Sequence, residues 1–398
     1  MTATWTPTTF DPHDPTFLAD PYPVYAQFRE LAPVSMVLPY RSYWAFGYDD
    51  CVRILTETDV FVKNPPGGRT AAPPPFSAIG ELPQGIFASD PPRHDTLRGL
   101  VEPVFDAAIA DAANIAASVS AELLGAATAS SSWLEVVSDY ALPLPAHVLF
   151  RLLGIDPGFP VLTQWIAAIE AAHDITSSPT TQAMGATMDM AINTLLEATV
   201  LTLQQTPDPS TIIGRLVAAT SPDGLSPMDV RVACQDFVIA GYLSTTYLLS
   251  TGIRSLIRNP DQAALLRASP ELIPGAVEEM LRYDAPFQIV DRFAARPTEL
   301  SGVSLDVGDA VSAIVGSANR DGARFADADE FVATRTDNPH LGFGDGIHHC
   351  IGAPLARLVA PVAVGALLAL GPMTIRGIPQ WHTDPYLRGC TSLLVSRP

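Results

Sequence analysis

The sequence predicts a mainly α-helical protein, one large helical domain with a small β-rich lobe. Three observations carry this. From Arg93 to about Asn259, Ala, Leu, Val and Ile recur at helical spacing, with breaks at Leu142-Pro143, Asp156-Pro157 and Ser221-Pro222. After Pro286, short apolar runs alternate with Gly and Asp turns, most clearly from Leu300 to Val311, as short strands do. No internal repeat and no linker divides the 398 residues, so 1–398 is expected to be a single domain. At 47% hydrophobic and 16% charged, the chain suits a large buried core and excludes a disordered one.

Each region has its own signal. Met1 to Pro15 shows neither a basic nor an apolar leader pattern, so no signal peptide is expected. Lys63 to Pro92 holds eight prolines and is expected to be mostly loop, of a length that is usually functional. Thr176 to Met190 is small, polar and weakly periodic, and reads as a mobile connection between helices. Two apolar stretches approach membrane-span length. Phe237 to Ile253 carries two Ser and three Thr, and Leu358 to Ile375 is interrupted by Pro361, Gly365, Gly371 and Pro372. Both are expected to be buried core helices, with no membrane partner.

The 42 acidic residues outweigh 23 basic ones, a net charge of −19, which argues against nucleic acid and anionic lipid. Lys63 is the only lysine, the other 22 bases being arginine, a skew that points to a GC-rich genome. Cys51, Cys234, Cys350 and Cys390 form no C-x-x-C pair, so a reducing, cytoplasmic location is expected.

The strongest local motif is Phe343-Gly344-Asp345-Gly346-Ile347-His348-His349-Cys350-Ile351-Gly352. Glycines around one cysteine allow tight turns and let backbone N–H groups approach the sulfur, which tunes a metal-bound thiolate. A helix starting near Gly352 would add its positive end. A structural cysteine in a glycine loop, or a zinc site with His348 and His349, are the alternatives on local grounds. The zinc reading is weak, because adjacent ligands point apart and no second cysteine cluster exists.

This segment resembles the haem-binding loop of the cytochrome P450 family, F-G-x-G-x-H-x-C-x-G, with every fixed position present. The resemblance spans nearly the whole chain. It includes Asp20-Pro21-Tyr22-Pro23 with Tyr25 and Arg29, then Trp44 to Phe61, and Leu142-Pro143-Leu144-Pro145 through Gly154. Further on it takes in Glu279-Met280-Leu281-Arg282, Ser317-Ala318-Asn319-Arg320-Asp321 and Arg388-Gly389. It implies the cytochrome P450 fold and a haem b cofactor with Cys350 as thiolate ligand of the iron. His94, Arg98, Arg292 and His348 are implied as propionate partners. Glu279 and Arg282 are implied as a buried ion pair, with Arg335 as a third member.

The resemblance implies a monooxygenase of bacterial specialised metabolism, fed electrons by a ferredoxin and ferredoxin reductase and acting as a monomer on a small, largely apolar molecule. The distal helix departs from the family's A-G-x-(D/E)-T-T. Here Ala240-Gly241-Tyr242-Leu243-Ser244-Thr245-Thr246 puts Leu243 at the acid position and Ser244 at the threonine position, leaving Ser244 and Thr245 as the candidate catalytic residues. A leucine cannot relay a proton, whereas a hydroxyl can donate and accept. That loss keeps two alternatives open: an oxidase that closes a ring, desaturates or couples phenols without inserting oxygen, and a haem-binding sensor without turnover. Expected pocket walls are Phe76 to Phe87, Tyr242, Leu243, Phe287 to Val290 and Leu393-Leu394.

Overall fold

The computed structural model describes residues 10–38, 40–66, 85–129, 131–155, 159–173, 177–222 and 224–397. The N-terminal part sets α1 (Pro15–Ala19) and α2 (Tyr22–Leu31) beside β1 (Val34–Val37) and β2 (Ser42–Ala45), followed by α3 (Tyr48–Thr56) and β3 (Phe61–Val62). The helical mass begins with α4 (Arg93–Ala108) and α5 (Ala112–Thr128), then strand β4 (Trp133–Glu135), α6 (Pro143–Leu153) and α7 (Phe159–His173). It continues through α8 (Pro179–Gln205), α9 (Ile212–Ala218), α10 (Pro227–Ala240), α11 (Leu243–Arg258), α12 (Pro260–Ala268) and α13 (Ile273–Tyr283).

After Pro286 come β5 (Ile289–Ala294), β6 (Thr298–Leu300), β7 (Val303–Leu305), β8 (Ala310–Ile314) and α14 (Val315–Ala318). The chain closes with α15 (Ala353–Leu368), β9 (Thr374–Ile375), β10 (Gln380–Trp381), β11 (Cys390–Ser392) and β12 (Leu394–Ser396). The main sheet has the order β1-β2-β8-β5-β3, and only its β2–β8 contact is parallel. The mainly helical fold with a minor β part is therefore as expected.

Helix starts follow local chemistry. Ser178 and Ser226 cap α8 and α10 by accepting backbone N–H bonds from Thr181 and Asp229, and a proline occupies the first turn of each. Gly154 ends α6 at φ 79°, a left-handed conformation that suits glycine. The break at Asp156-Pro157 lies outside the described residues, as do 67–84 of the proline-rich segment, including Phe76.

One expectation is corrected. From Pro179 on, the segment read as a mobile connection is the first half of the 27-residue α8. Its buried stripe is narrow, with Ile192, Leu196 and Val200 packed inward, so little periodicity shows in sequence. Its threonines fit the helix because Thr187, Thr194, Thr199 and Thr202 each donate a hydroxyl bond to the carbonyl four residues earlier. Among the described residues no single helix is long and apolar enough to cross a membrane.

Motifs far apart in sequence meet in space. Arg29 Nη1 donates to the carbonyl and hydroxyl of Ser317, and Arg320 lies between the rings of Tyr22 and Tyr283, 3.7 and 3.6 Å from their centres. Arg282 and Glu279 on α13 are fully buried. Arg282 donates two bonds to Glu279, at 2.7 and 2.8 Å, and three to the carbonyls of Asn319, Ala328 and Glu330. Arg335 Nε donates to Glu279 at 3.1 Å. Glu279→Ala is expected to cost about 3–5 kcal/mol in denaturant unfolding, because it strands buried cations. Arg53→Ala, which breaks a half-exposed pair with Glu57, should cost less than about 1 kcal/mol in the same measurement.

Candidate active site

The Phe343–Gly352 loop needs two left-handed residues, and both are glycine: Gly344 at φ 70° and Gly346 at φ 68°. A Cβ on Gly346 would also stand 2.6 Å from the carbonyl oxygen of Leu55 on α3. Cys350 N donates to Phe343 O at 2.8 Å and closes the loop. The backbone N–H groups of Gly352 and Ala353, where α15 begins, point at the Cys350 sulfur. Cys350 opens onto a cavity while lying deep within the molecule. Burial pushes its thiol up, and those two N–H groups together with Arg98 and Arg357 oppose the rise.

The loop is clamped from both sides. Arg98 Nη1 on α4 donates to the carbonyls of Ile347 and His349, at 2.8 and 2.7 Å. Below it, Arg357 of α15 makes a bidentate pair with Glu278 of α13, at 2.9 and 2.8 Å, and His340 approaches the same carboxylate at 3.1 Å. Burial alone would raise the Glu278 carboxyl, but His340 and Arg357 hold it down at about 2.

A cluster of cationic side chains lines one end of the cavity. Arg292 is buried on β5, and burial lowers it to about 10. Burial, then Arg292, Lys63, His94 and Arg98, push His348 down to about 2. His94 is buried with its ring centre 4.4 Å from that of His348; its Nδ1 meets Asp95, while Nε2 has no hydrogen-bond partner. Lys63 is lowered well below the ordinary lysine range, by burial first and Arg292 second. Among the described residues, Lys63, Arg292 and His348 have no carboxylate within ion-pair distance. So much like charge in one buried place calls for an anion.

The cavity, about 280 Å³, is otherwise mostly apolar, with Ile86, Phe237, Ala240, Leu248, Val290 and Phe287 among its walls. Ser244 and Thr245 line it too. The distal helix is interrupted: α10 ends at Ala240 and α11 begins at Leu243. Gly241 is needed at the break, since a Cβ there would collide with the Phe237 carbonyl and with Leu149 of α6.

The segment 173–370 matches the family model for cytochrome P450. PikC, a cytochrome P450 monooxygenase of Streptomyces venezuelae, is 32% identical over 392 residues, spanning 95% of this chain and 91% of that protein. The chain belongs to the cytochrome P450 family. The 6-deoxyerythronolide B hydroxylase of Saccharopolyspora erythraea is also 32% identical, over 96% of each chain. The crystal structure of P450BioI in complex with hexadec-9Z-enoic acid ligated acyl carrier protein superposes with a TM-score of 0.87 at 28% identity, over 96% of this chain and 100% of that one. The protein is thus a cytochrome P450 monooxygenase whose cofactor is haem.

The residues present fit a haem. A thiol at the start of a helix suits its iron, and the crowded cations, with the orphaned Nε2 of His94, suit its two propionates. The structure brings His94, Arg98, Arg292, His348 and Cys350 to one cavity, His94 through its contact with His348. Sequence reasoning missed Lys63, whose side chain joins the cluster from the proline-rich loop. Its being the only lysine was the sole signal. Four expected wall residues are corrected. Tyr242 is fully buried against Phe150, and Leu243 packs into the main apolar core, so neither lines the cavity of this P450. Leu393 and Leu394 are likewise absent from its walls: Leu393 is fully buried in the core and Leu394 is half-exposed on β12.

Arg292→Leu and Lys63→Met should each speed haem transfer to apomyoglobin by about tenfold or more, as loss of a charge-assisted hydrogen bond of about 1.5–3 kcal/mol requires. Glu278, depressed from an ordinary 4.5 to about 2, should stabilise the fold above about pH 4.5 and lose that contribution as the pH falls toward 2. The stability difference between wild type and Glu278→Gln, followed by urea unfolding, should shrink over that window.

Proposed function

We propose that this P450 hydroxylates a small, largely apolar molecule, acting in the cytoplasm as a single-domain monomer with electrons from a ferredoxin and its reductase. The observation that carries this reading is the Cys350 sulfur, held by two backbone N–H groups at the start of α15 and facing a mostly apolar cavity. The relatives PikC and 6-deoxyerythronolide B hydroxylase, by their names a monooxygenase and a hydroxylase, support it.

In this reading Cys350 is the iron ligand, and His94, Arg98, Arg292 and His348, with Lys63, hold the propionates. The haem, when bound, supplies the oxygen-activating chemistry. The N–H groups of Gly352 and Ala353 share the negative charge of the sulfur and tune its electron donation. The apolar walls exclude water and orient the substrate's C–H bond. Position 243 is a leucine, half-buried against the main apolar core, so no carboxyl stands at that helix position. Ser244 Oγ now donates to the Ala240 carbonyl at 3.0 Å and keeps its lone pairs free to accept a proton. We assign proton delivery to Ser244 and ordered water, with Thr245 beside them.

Leu243 also favours a second reading, an oxidase that removes hydrogen without inserting oxygen. Product mass under ¹⁸O₂ separates the two: label in the product supports the hydroxylase, and unlabelled product the oxidase.

Cys350→Ala should abolish the red-shifted absorption of the reduced carbon monoxide complex, while replacement of Cys51, Cys234 or Cys390 leaves it unchanged. Ser244→Ala should lower product formed per electron several-fold and raise peroxide release. The loss should stay below the about 100-fold expected of a sole acid–base group, because water shares the task.

A further inference from the structure

The distal part of the same cavity holds one polar group that the reading above does not use. Asp236 of α10 lines it among Ala233, Phe237, Ile86 and Phe87. The other acids there are engaged: Asp291 accepts from Ser312 at 2.6 Å and from the Tyr386 hydroxyl, and Asp345 accepts from Gly346 N. The Asp236 carboxyl accepts backbone N–H bonds from Ile86 and Phe87, yet its Oδ2 is shut off from bulk water with no hydrogen-bond partner. Gly85 lets the chain approach this closely, since a Cβ there would collide with Oδ2.

A carboxylate has about four acceptor sites, and two N–H donors leave two unfilled. No cationic side chain among the described residues stands close enough to offset the burial, which lifts the group to about 7. Lys63 Nζ stands over the Phe87 ring, 4.3 Å from its centre, and no cation among the described residues makes an ion pair with Asp236. The two N–H bonds explain an oxygen acceptor at position 236 but not a charge, because an asparagine carbonyl would serve them as well. A ligand group that reaches this carboxyl would fill the acceptor sites that the two N–H groups leave open.

We propose, building on the monooxygenase reading, that Asp236 is the specificity-determining anchor of the substrate site and pairs with a protonated amine on an otherwise apolar substrate. Asp236 lies on α10, before the helix break, and Ser244 on α11 after it, so the two stand at different points along the distal wall. The amine is therefore held at one end of the substrate, and the oxidised carbon lies toward Cys350.

The test uses the haem-loaded protein and two probes of matched shape, N,N-dimethyldecylamine and the neutral N,N-dimethyldecanamide, with dissociation constants from optical titration. At about pH 7.5, where the amine is protonated, wild type should bind the amine at least about tenfold tighter than the amide. Asp236→Asn keeps an acceptor for the Ile86 and Phe87 N–H groups; it should reduce that preference to within about twofold and retain amide affinity. The wild type alone gives a second measurement. At about pH 5.5 the carboxyl is mostly protonated while the amine stays charged, so the preference should fall at least about fivefold. The nearest other titratable group to feel Asp236, the Cys234 thiol, is pushed far above its ordinary range by burial and stays neutral throughout.

Equal affinities in wild type, a preference that survives in Asp236→Asn, or one unchanged at the lower pH overturns the proposal. If the amide binds and is hydroxylated with no amine preference, only this inference fails. If Cys350→Ala keeps the thiolate-type carbon monoxide spectrum, it is the reading of the site that fails.

Discussion

The buried Glu279 carboxylate and its partners are the constraint on which the proximal half of the molecule depends. Arg282 has five N–H donors, and all five are used: two on Glu279 and three on carbonyls between Asn319 and Glu330. Glu279 also takes Val332 N, Arg335 Nε and Asn338 Nδ2. A buried ion pair is tolerable only when every lone pair and proton is satisfied in this way. The result is that a loop-rich stretch with almost no regular structure is held at fixed distances from α13. The adjacent residue, Glu278, carries the same logic to His340 and Arg357, and so to both sides of the cysteine loop.

Charge is distributed with a purpose that the overall balance hides. The chain carries a net −19, yet its cavity gathers Lys63, Arg98, Arg292 and two histidines. Burial and the neighbouring cations hold His348 neutral, whereas Arg292 is destabilised as a cation by burial, which Asp291 and Asp90 partly offset. A haem with two carboxylates would add countercharge beside Lys63 and Arg292, which Asp291 and Asp90 offset without an ion pair, while Arg98 already pairs with Glu102. Folding and cofactor binding are thereby coupled through electrostatics as well as through the iron.

The distal side follows a different principle. It is apolar and carries few groups able to hold a proton. At the helix break, Gly241 is dictated by close packing on α6, and Tyr242 and Leu243 are drawn into the core. The polar residues of that wall facing the cavity are Ser244, Thr245 and, on α10 before the break, Asp236. Proton handling and substrate recognition on that wall rest on very few atoms.

What the sequence by itself determined was what short-range chemistry determines. The Phe343–Gly352 loop, its two left-handed glycines and the helix that follows depend on torsions and hydrogen bonds within about a dozen residues, and these were legible with Cys350 at their centre. The helix starts at Ser178-Pro179 and Ser226-Pro227 are equally local in cause, each a serine cap with a proline in the first turn. The spacing of Glu279 and Arg282 showed that they share a face, but not that the face is buried.

Tertiary structure alone decided that Lys63 joins Arg292, that Tyr242 and Leu243 leave the cavity, and that Asp236 remains beside it with an unpaired oxygen. These are facts of burial. They arise when elements about 140 to 230 residues apart exclude water from a common space, as α10 and the segment around Phe87, or Lys63 and β5, do here. A single residue's neighbours in sequence do not encode that exclusion, because the dielectric and the partners it meets come from the other elements of the fold.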